Sequence, residues 1–325
     1  MDEGELTDEQ CERALNDFAQ ITATDEACAH FFLQDVGWNL QVIYKLIIFA
    51  ALNNFYAASK DEEEEIKSDG TKTDAEVENT ENNNSNNSFT PYSLLSWNID
   101  GLDKSNLKTR FKAVCYNISE IAADIVFLQE VVPELVPLLR EWLQGEYSIL
   151  LSSPNQNYFT AVLLKPRVDL ISHRCVPFET SGMGRSMQIV EASLNGMKIN
   201  LLNTHLESMG EHRKIRISQL NECFNLISAW NNQNEFVVFG GDLNILGFND
   251  AWLAGGSIQK FKYTWDTRLN DNKSAGGSRL RFDRIYFNRY TDAINSVKFS
   301  LEGQNRIRNC LCFPSDHWAI LVRFC

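Results

Sequence analysis

The chain has 325 residues, 44% of them hydrophobic and 22% charged, a balance that excludes a wholly disordered or fibrous polypeptide and leaves room for one large core or two domains. Its formal net charge of −13 would exclude a nucleic-acid surface if it were spread evenly. Residues 1–90 carry 20 acidic against 5 basic side chains, whereas residues 91–325 carry 23 acidic against 25 basic, so the later part of the chain can still host a basic groove.

At the N-terminus no positively charged segment precedes an apolar stretch, so no secretory leader is expected. Residues 8–58 read as three short helices. Cys11, Ala14, Leu15 and Phe18 repeat at helical spacing, residues 27–33 form a second apolar candidate, and Val42, Ile43, Leu46, Ile47 and Ala50 mark a third with Asn39 as its N-cap. The last of these is interrupted by Gln41, Lys45, Asn53 and Asn54, far short of the roughly 20 apolar residues that span a bilayer. Residues 1–58 are therefore expected to form a small three-helix docking module rather than a catalytic one, with no membrane association. Residues 59–90, with Asp61-Glu62-Glu63-Glu64-Glu65 and an Asn/Ser run, bury too little to offset ordering entropy and read as a disordered linker.

From residue 91 the pattern changes to short runs rich in Val, Ile, Leu and Phe at residues 93–97, 125–128, 159–164, 198–203, 236–239, 282–287 and 318–322. Helical spacing intervenes at Phe111, Val114, Cys115, Ile118 and Ile121, and again at Ile217, Leu220, Phe224 and Ile227. Several strands follow one another without a helix between them, which favours two sheets packed face to face with helices outside. The eight cysteines contain no Cys-x-x-Cys pair and read as reduced thiols, with Cys310 and Cys312 alternating along one face of a strand.

Short polar motifs close these apolar runs: Ser96-Trp97-Asn98, Leu128-Gln129-Glu130, Asn203-Thr204-His205, Gly241-Asp242-Leu243-Asn244 and Ser315-Asp316-His317. Together they supply the carboxylates, carboxamides and histidines of a metal-dependent phosphodiesterase. Glu130, with Asn98 nearby, suits a magnesium ion that keeps most of its waters, manganese being an alternative ion. Asp242 suits a general base and Asn244 a group that positions water or phosphate, although Asx residues after Gly240-Gly241 also favour a simple turn. Asp316-His317 suits a carboxylate that keeps an imidazole cationic against a developing phosphorane, and His205 suits a second phosphate contact. Arg279, Arg281 and Arg284 surround Phe282-Asp283 close to Tyr263 and Trp265, a combination fitted to backbone phosphates and base stacking, with a solvated strand edge as the bland alternative and Asp283 as a structural partner of an arginine.

In this order the motifs resemble the exonuclease-endonuclease-phosphatase superfamily over residues 91–325. Trp97-Asn98-Ile99-Asp100-Gly101-Leu102, His205-Leu206-Glu207-Ser208, Tyr263-Thr264-Trp265-Asp266-Thr267 and Arg281-Phe282-Asp283-Arg284-Ile285 are most similar to its 5′-tyrosyl-DNA phosphodiesterase branch, and the N-terminal unit looks like a ubiquitin-associated domain. The resemblance implies a four-layered α/β sandwich that hydrolyses the bond between a 5′ DNA end and the tyrosine of a type II topoisomerase peptide remnant. It implies Glu130 and Asn98 at the metal, Asp242 activating water and Asn244 orienting it. His205 and His317 would stabilise the transition state, Asp316 orienting His317. Ser208 would bind a phosphate oxygen, Trp265 and Phe282 would wall the DNA end, and Arg284 would help bind it. A monomeric, nuclear protein that also binds ubiquitin or ubiquitinated proteins through residues 1–58 is expected. One departure stands out: the branch carries a DNA-contacting arginine where this chain has Leu246, leaving Arg213, Lys214 or Arg216 to supply that grip. The alternatives are an abasic-site endonuclease or general DNA phosphodiesterase of the same superfamily, and a ubiquitin-binding adaptor whose enzyme domain has decayed.

Overall fold

The computed structural model describes residues 91–231, 235–243, 250–274, 276–288, 294 and 296–325, together with Glu12, Leu15 and Asn16, which are helical. The remainder of the expected three-helix unit, the linker and Asn244 lie outside the described residues. The chain divides between Ser88 and Phe89.

Two sheets carry the fold. The first has six strands in the order β12-β13-β1-β2-β4-β3 and the second five in the order β11-β8-β7-β6-β5. In the first, β1 (Tyr92–Asn98) pairs in parallel with β2 (Ile125–Val131) and antiparallel with β13 (Ala319–Phe324). The others are β3 (Ser148–Leu151), β4 (Phe159–Leu164) and β12 (Val297–Glu302). In the second, β7 (Met197–His205) and β8 (Phe236–Asp242) run parallel, and β11 (Asp283–Phe287) pairs antiparallel with β8. The hairpin of β5 (Val168–Pro177) and β6 (Ser186–Leu194) completes it. A two-stranded ribbon, β9 (Trp265–Asp266) and β10 (Arg279–Leu280), stands apart.

Alternation along the strands builds the layers. Leu94, Phe127, Val162, Leu201, Val238 and Ile320 fill the space between the sheets, while Leu95, Trp97, Val126, Leu128 and Leu321 face the other way. There they meet the apolar faces of α1 (Leu107–Ile121) and α2 (Val136–Leu143). In α1 the buried residues Leu107, Phe111, Val114, Cys115 and Ile118 follow the helical period, and left-handed Ala122 ends the helix by donating its N–H to the Ile118 carbonyl. On the outer face of the second sheet, α3 (Arg213–Asn231) packs Phe224 edge-on against Phe239. Helix, sheet, sheet, helix is the expected four-layered sandwich, and each fully buried Leu or Phe of its cores contributes roughly 1.5–3 kcal/mol. The short α4 (Ala251–Ala254) is capped by Asp250, whose side chain accepts from the Trp252 N–H.

Two expectations change. Cys310 and Cys312 are not strand neighbours: they flank left-handed Leu311 in the loop before β13, with their sulfurs joined at 2.50 Å. Strand β5 has no counterpart among the expected strands, because most of it is exposed or half-buried and its apolar signal is correspondingly thin; its buried partner β6 has none either. No helix among the described residues is long and apolar enough to cross a membrane.

Candidate active site

The polar motifs converge where strand ends from both sheets meet. Register does most of this: His205 of β7 pairs with Asp242 of β8, and Asp242 pairs with Asp283 of β11, so three functional side chains occupy neighbouring strand ends. Gly241 makes the approach feasible. It sits at φ 129°, and a Cβ there would lie 2.0 Å from the Thr204 carbonyl oxygen, so no larger residue fits.

Glu130 reaches the site through a bulge. The β2–β4 register shifts between Leu128 and Val131, and Glu130 itself has φ 57°, which turns it out of the strand that carries it. The neighbouring loop approaches so closely that a Cβ on Gly101 would lie 2.0 Å from the Glu130 carbonyl oxygen. Burial raises the Glu130 pKa, His317 and the Asn98 amide oppose that, and the charge of Asp316 raises it further. Two carboxylates that repel each other in a buried setting, as Glu130 and Asp316 do, are a donor set suited to a hard divalent cation.

Asn98 departs from the expected metal contact. Its Oδ1 accepts from the Asp100 N–H at 3.0 Å, and its Nδ2 donates to Glu130 Oε1 at 3.2 Å and to Asp242 Oδ2 at 3.1 Å. An N–H donor is no cation ligand, so Asn98 turns its amide nitrogen to the two carboxylates and bridges them, using both of its N–H groups.

His317 is oriented by Asp283, not by Asp316. Its Nδ1 lies 2.8 Å from Asp283 Oδ2, whereas its Nε2 is 3.9 Å from Asp316 Oδ1. Sequence adjacency suggested Asp316, but consecutive residues at a strand entry do not share a direction. Asp316 instead accepts from the Trp265 indole N–H at 3.1 Å. Burial disfavours a charged His317, yet Asp283, Asp316 and Asp242 together carry its pKa well above the ordinary value, so the ring is an imidazolium at neutral pH. The three groups Asp242, Asp283 and His317 have ligand atoms within 4.8 Å of one another. A protonated histidine does not ligate a metal, which favours the Glu130–Asp316 pair as the cation site.

The second histidine has the opposite state. Burial, Arg185 and His317 hold the His205 pKa well below the ordinary value. Arg185 Nη1 lies 2.6 Å from His205 Nδ1, and a guanidinium only donates, so Nδ1 is bare and the proton sits on Nε2. That N–H lies 3.4 Å from Asp242 Oδ2 and 3.5 Å from Ser208 Oγ. Arg185 also donates to Ser208 Oγ at 3.0 Å and stacks over the Tyr158 ring at 4.9 Å. Sequence reasoning missed Arg185, which ends a turn and carries no strand signal of its own. Asp242, between the two histidines, is pushed up to about 7, first by burial and then by the charge of Asp283.

Trp265 and Phe282 form a half-buried aromatic face, their ring centroids 5.7 Å apart, and Phe282 stands 6.0 Å from His317. Arg284 does not join it. Arg284 is 2% exposed and donates to Asp250 Oδ2 at 3.0 Å, while Arg281 pairs with the other oxygen of Asp250, so both arginines are spent inside the fold rather than offered to DNA. Arg216 likewise donates to the carbonyls of Glu207 and Met209, which withdraws it as a replacement for the missing arginine.

Relatives match along nearly the whole chain. A 5′-tyrosyl-DNA phosphodiesterase from Caenorhabditis briggsae is 42% identical, over 98% of this chain and 92% of its own, and the tyrosyl-DNA phosphodiesterase 2 of Gallus gallus is 32% identical, over 95% and 89%. Among solved structures, TDP2 from C. elegans superposes with a TM-score of 0.69 at 41% identity, covering 100% of this chain and 96% of its own. D. rerio TDP2 complexed with single-strand DNA product gives 0.65 at 30% identity, covering 73% and 100%. A UBA-like domain model matches residues 9–43. The model of the Endonuclease/Exonuclease/phosphatase family spans residues 95–317, from the strand that ends in Asn98 to the imidazolium at His317, and the chain belongs to that family.

Proposed function

We propose that the protein is a DNA-repair phosphodiesterase that hydrolyses the bond between a tyrosine and a 5′ DNA end, leaving a 5′-phosphate. The observation that carries this reading is the paired state of the two histidines, one cationic through Asp283 and one neutral through Arg185, on either side of a base poised near neutrality. Asp242, raised to about 7, takes the proton from the attacking water. The His317 imidazolium and the Nε2–H of His205 meet the charge that develops on the phosphoryl oxygens, and the Asn98 amide holds the Glu130 and Asp242 carboxylates in place beside them. Glu130 and Asp316 would hold magnesium, with manganese as an alternative, and such an ion would supply charge neutralisation at the phosphate. The leaving group is a phenol of pKa about 10, so it departs with little help from a general acid.

Ser208, held by Arg185, contacts a phosphate oxygen, and Trp265 with Phe282 steers the terminal nucleotide by stacking. Asn244 completes the water site in this reading. In this reading the protein part of the substrate is a type II topoisomerase remnant, which carries the tyrosine that the relatives' names specify. The UBA-like match favours ubiquitin or a ubiquitinated protein as partner of the N-terminal unit, in a monomeric nuclear protein.

The test is release of tyrosine from a 5′-phosphotyrosyl oligonucleotide with magnesium, wild type against Asp242→Asn, with an abasic duplex in parallel. Release that needs both magnesium and Asp242 supports the proposal. Incision of the abasic duplex without tyrosine release moves the protein to the endonuclease branch of its family.

A further inference from the structure

Glu207 stands between His205 and Ser208 in sequence, yet its carboxylate is bonded elsewhere. It is 0% exposed. Oε2 accepts from Ser181 Oγ at 2.7 Å and from Gln219 Nε2 at 3.1 Å, and Oε1 accepts from the backbone N–H groups of Gly182 at 2.9 Å and Met183 at 3.1 Å. All four partners donate, so the position calls for an acceptor-only group. Burial works against the charge, but these hydrogen bonds outweigh it and hold the Glu207 pKa below the usual carboxylate value.

The bonded segment is the turn between β5 and β6. Ser181 Oγ, while donating to Glu207, accepts from the Arg185 N–H at 2.9 Å, and the Phe178 N–H closes the turn on the Arg185 carbonyl at 3.0 Å. Arg185 then extends back to the segment that follows β7 and bears Glu207, meeting His205 before it in the chain and Ser208 after it. The loop of contacts thus begins and ends in one four-residue motif. Gln219 of α3 locks the start of the loop from behind, accepting from the Glu207 N–H at 2.9 Å.

We propose that Glu207 is a positioning residue for the phosphodiester hydrolysis: it anchors the turn of residues 178–185 so that Arg185 binds Nδ1 of His205 and keeps the proton on Nε2, on the side of Asp242 and Ser208 where the substrate phosphate binds. The proposal rests on the functional reading above. Without the anchor, the turn loses the acceptor that gathers Ser181, Gly182 and Met183, and the guanidinium loses its fixed origin. A glutamine fills the same volume but turns an N–H group against other N–H groups, so the geometry fails without a cavity being created.

The experiment compares the full-length wild type with Glu207→Gln, Arg185→Ala and the double variant, measuring tyrosine release with magnesium and, separately, the ring ¹⁵N signals of selectively labelled histidines. Glu207→Gln is expected to lower kcat about 10²-fold, the loss typical of a group displaced by about 1 Å. The double variant is expected to fall within about twofold of Arg185→Ala alone, because both changes break one path. The His205 Nδ1 signal is expected to move in Glu207→Gln toward its position in Arg185→Ala. Losses that multiply, or a His205 signal that stays at its wild-type position, would overturn the proposal. If the wild type releases no tyrosine and the His205 signal still moves, the functional reading fails and the positioning role stands. If Glu207→Gln does not fold, Ser181→Ala removes the hydroxyl that links Glu207 to the Arg185 backbone and carries the same expectations.

Discussion

Replacing Asp283 with asparagine tests the electrostatic core of the site. Asp283 is 1% exposed and lies 2.8 Å from His317 Nδ1; at an effective dielectric of about 20 two unit charges at that distance attract by ~6 kcal/mol. Asparagine keeps an acceptor oxygen but not the charge, so His317, left with only Asp316 and Asp242 against its burial, gives up its proton at neutral pH. The neutral ring then forfeits its attraction for the phosphoryl oxygens, and loss of one preorganised donor of this kind costs about 3–4 kcal/mol of transition-state stabilisation. The expected result is a fall in kcat of about 10²–10³-fold at neutral pH with a much smaller change in KM. The assay is steady-state tyrosine release followed from pH 5 to 9. Stability follows the same group. Because the folded pKa of His317 is raised, its contribution is full below the unfolded value near 6.5 and is lost as pH rises through the folded value. The deficit of Asp283→Asn in thermal unfolding is therefore expected to be largest below about pH 6.5 and to shrink at higher pH. A kcat within about threefold of wild type, or a stability deficit that grows with rising pH, would refute this assignment of the His317 charge.

Asp242 imposes a penalty of the opposite sign. Its folded pKa of about 7 stands above the ordinary carboxylate value of 3.8, so stability is lost as pH rises through that window. Asp242→Asn is expected to raise the melting temperature of the metal-free protein at pH 8, by on the order of 4 kcal/mol in stability, and to leave it unchanged near pH 4; calorimetry at the two pH values decides. Glu130→Gln keeps the shape of the side chain and removes one of two carboxylates, so magnesium titration of activity is expected to shift to at least tenfold higher concentration, which matches the ~1.4 kcal/mol lost for one decade; an unchanged titration would rule out Glu130 as a ligand. Gly241→Ala forces a Cβ to within 2.0 Å of the Thr204 carbonyl, and denaturant unfolding is expected to register a loss of more than about 3 kcal/mol.

Much of this site was legible before any fold was known. Apolar runs ending in Asn98, Glu130, His205 and Asp242, and one that begins just after His317, are local signals, and the strands they mark lie within a few residues of the expected bounds. Alternation within each run also fixed the layers, since Leu94 and Leu95 had to face opposite ways. What the sequence could not carry was partnership. Asp316 is adjacent to His317 in the chain, but it is Asp283, 34 residues away, that binds the ring, because strand register and not chain proximity brings β11 to the end of β8. Arg284 read as a DNA ligand until Asp250 was found to consume it, and Arg185 read as nothing until its turn folded back onto His205. Asn98 read as a metal ligand because a carboxamide offers both polarities, and only its neighbours decide which end faces the site.

The sequence by itself thus determined the element types, the two-sheet architecture and the chemical class of the groups at the strand ends, all of which depend on periodicity and residue type over a few positions. The tertiary structure alone decided which carboxylate charges which histidine, which arginines are neutralised within the fold and which nitrogen of His205 bears the proton. Those are properties of contacts between residues distant in the chain, and a buried charge takes its state from whatever group the fold brings within about 4 Å of it.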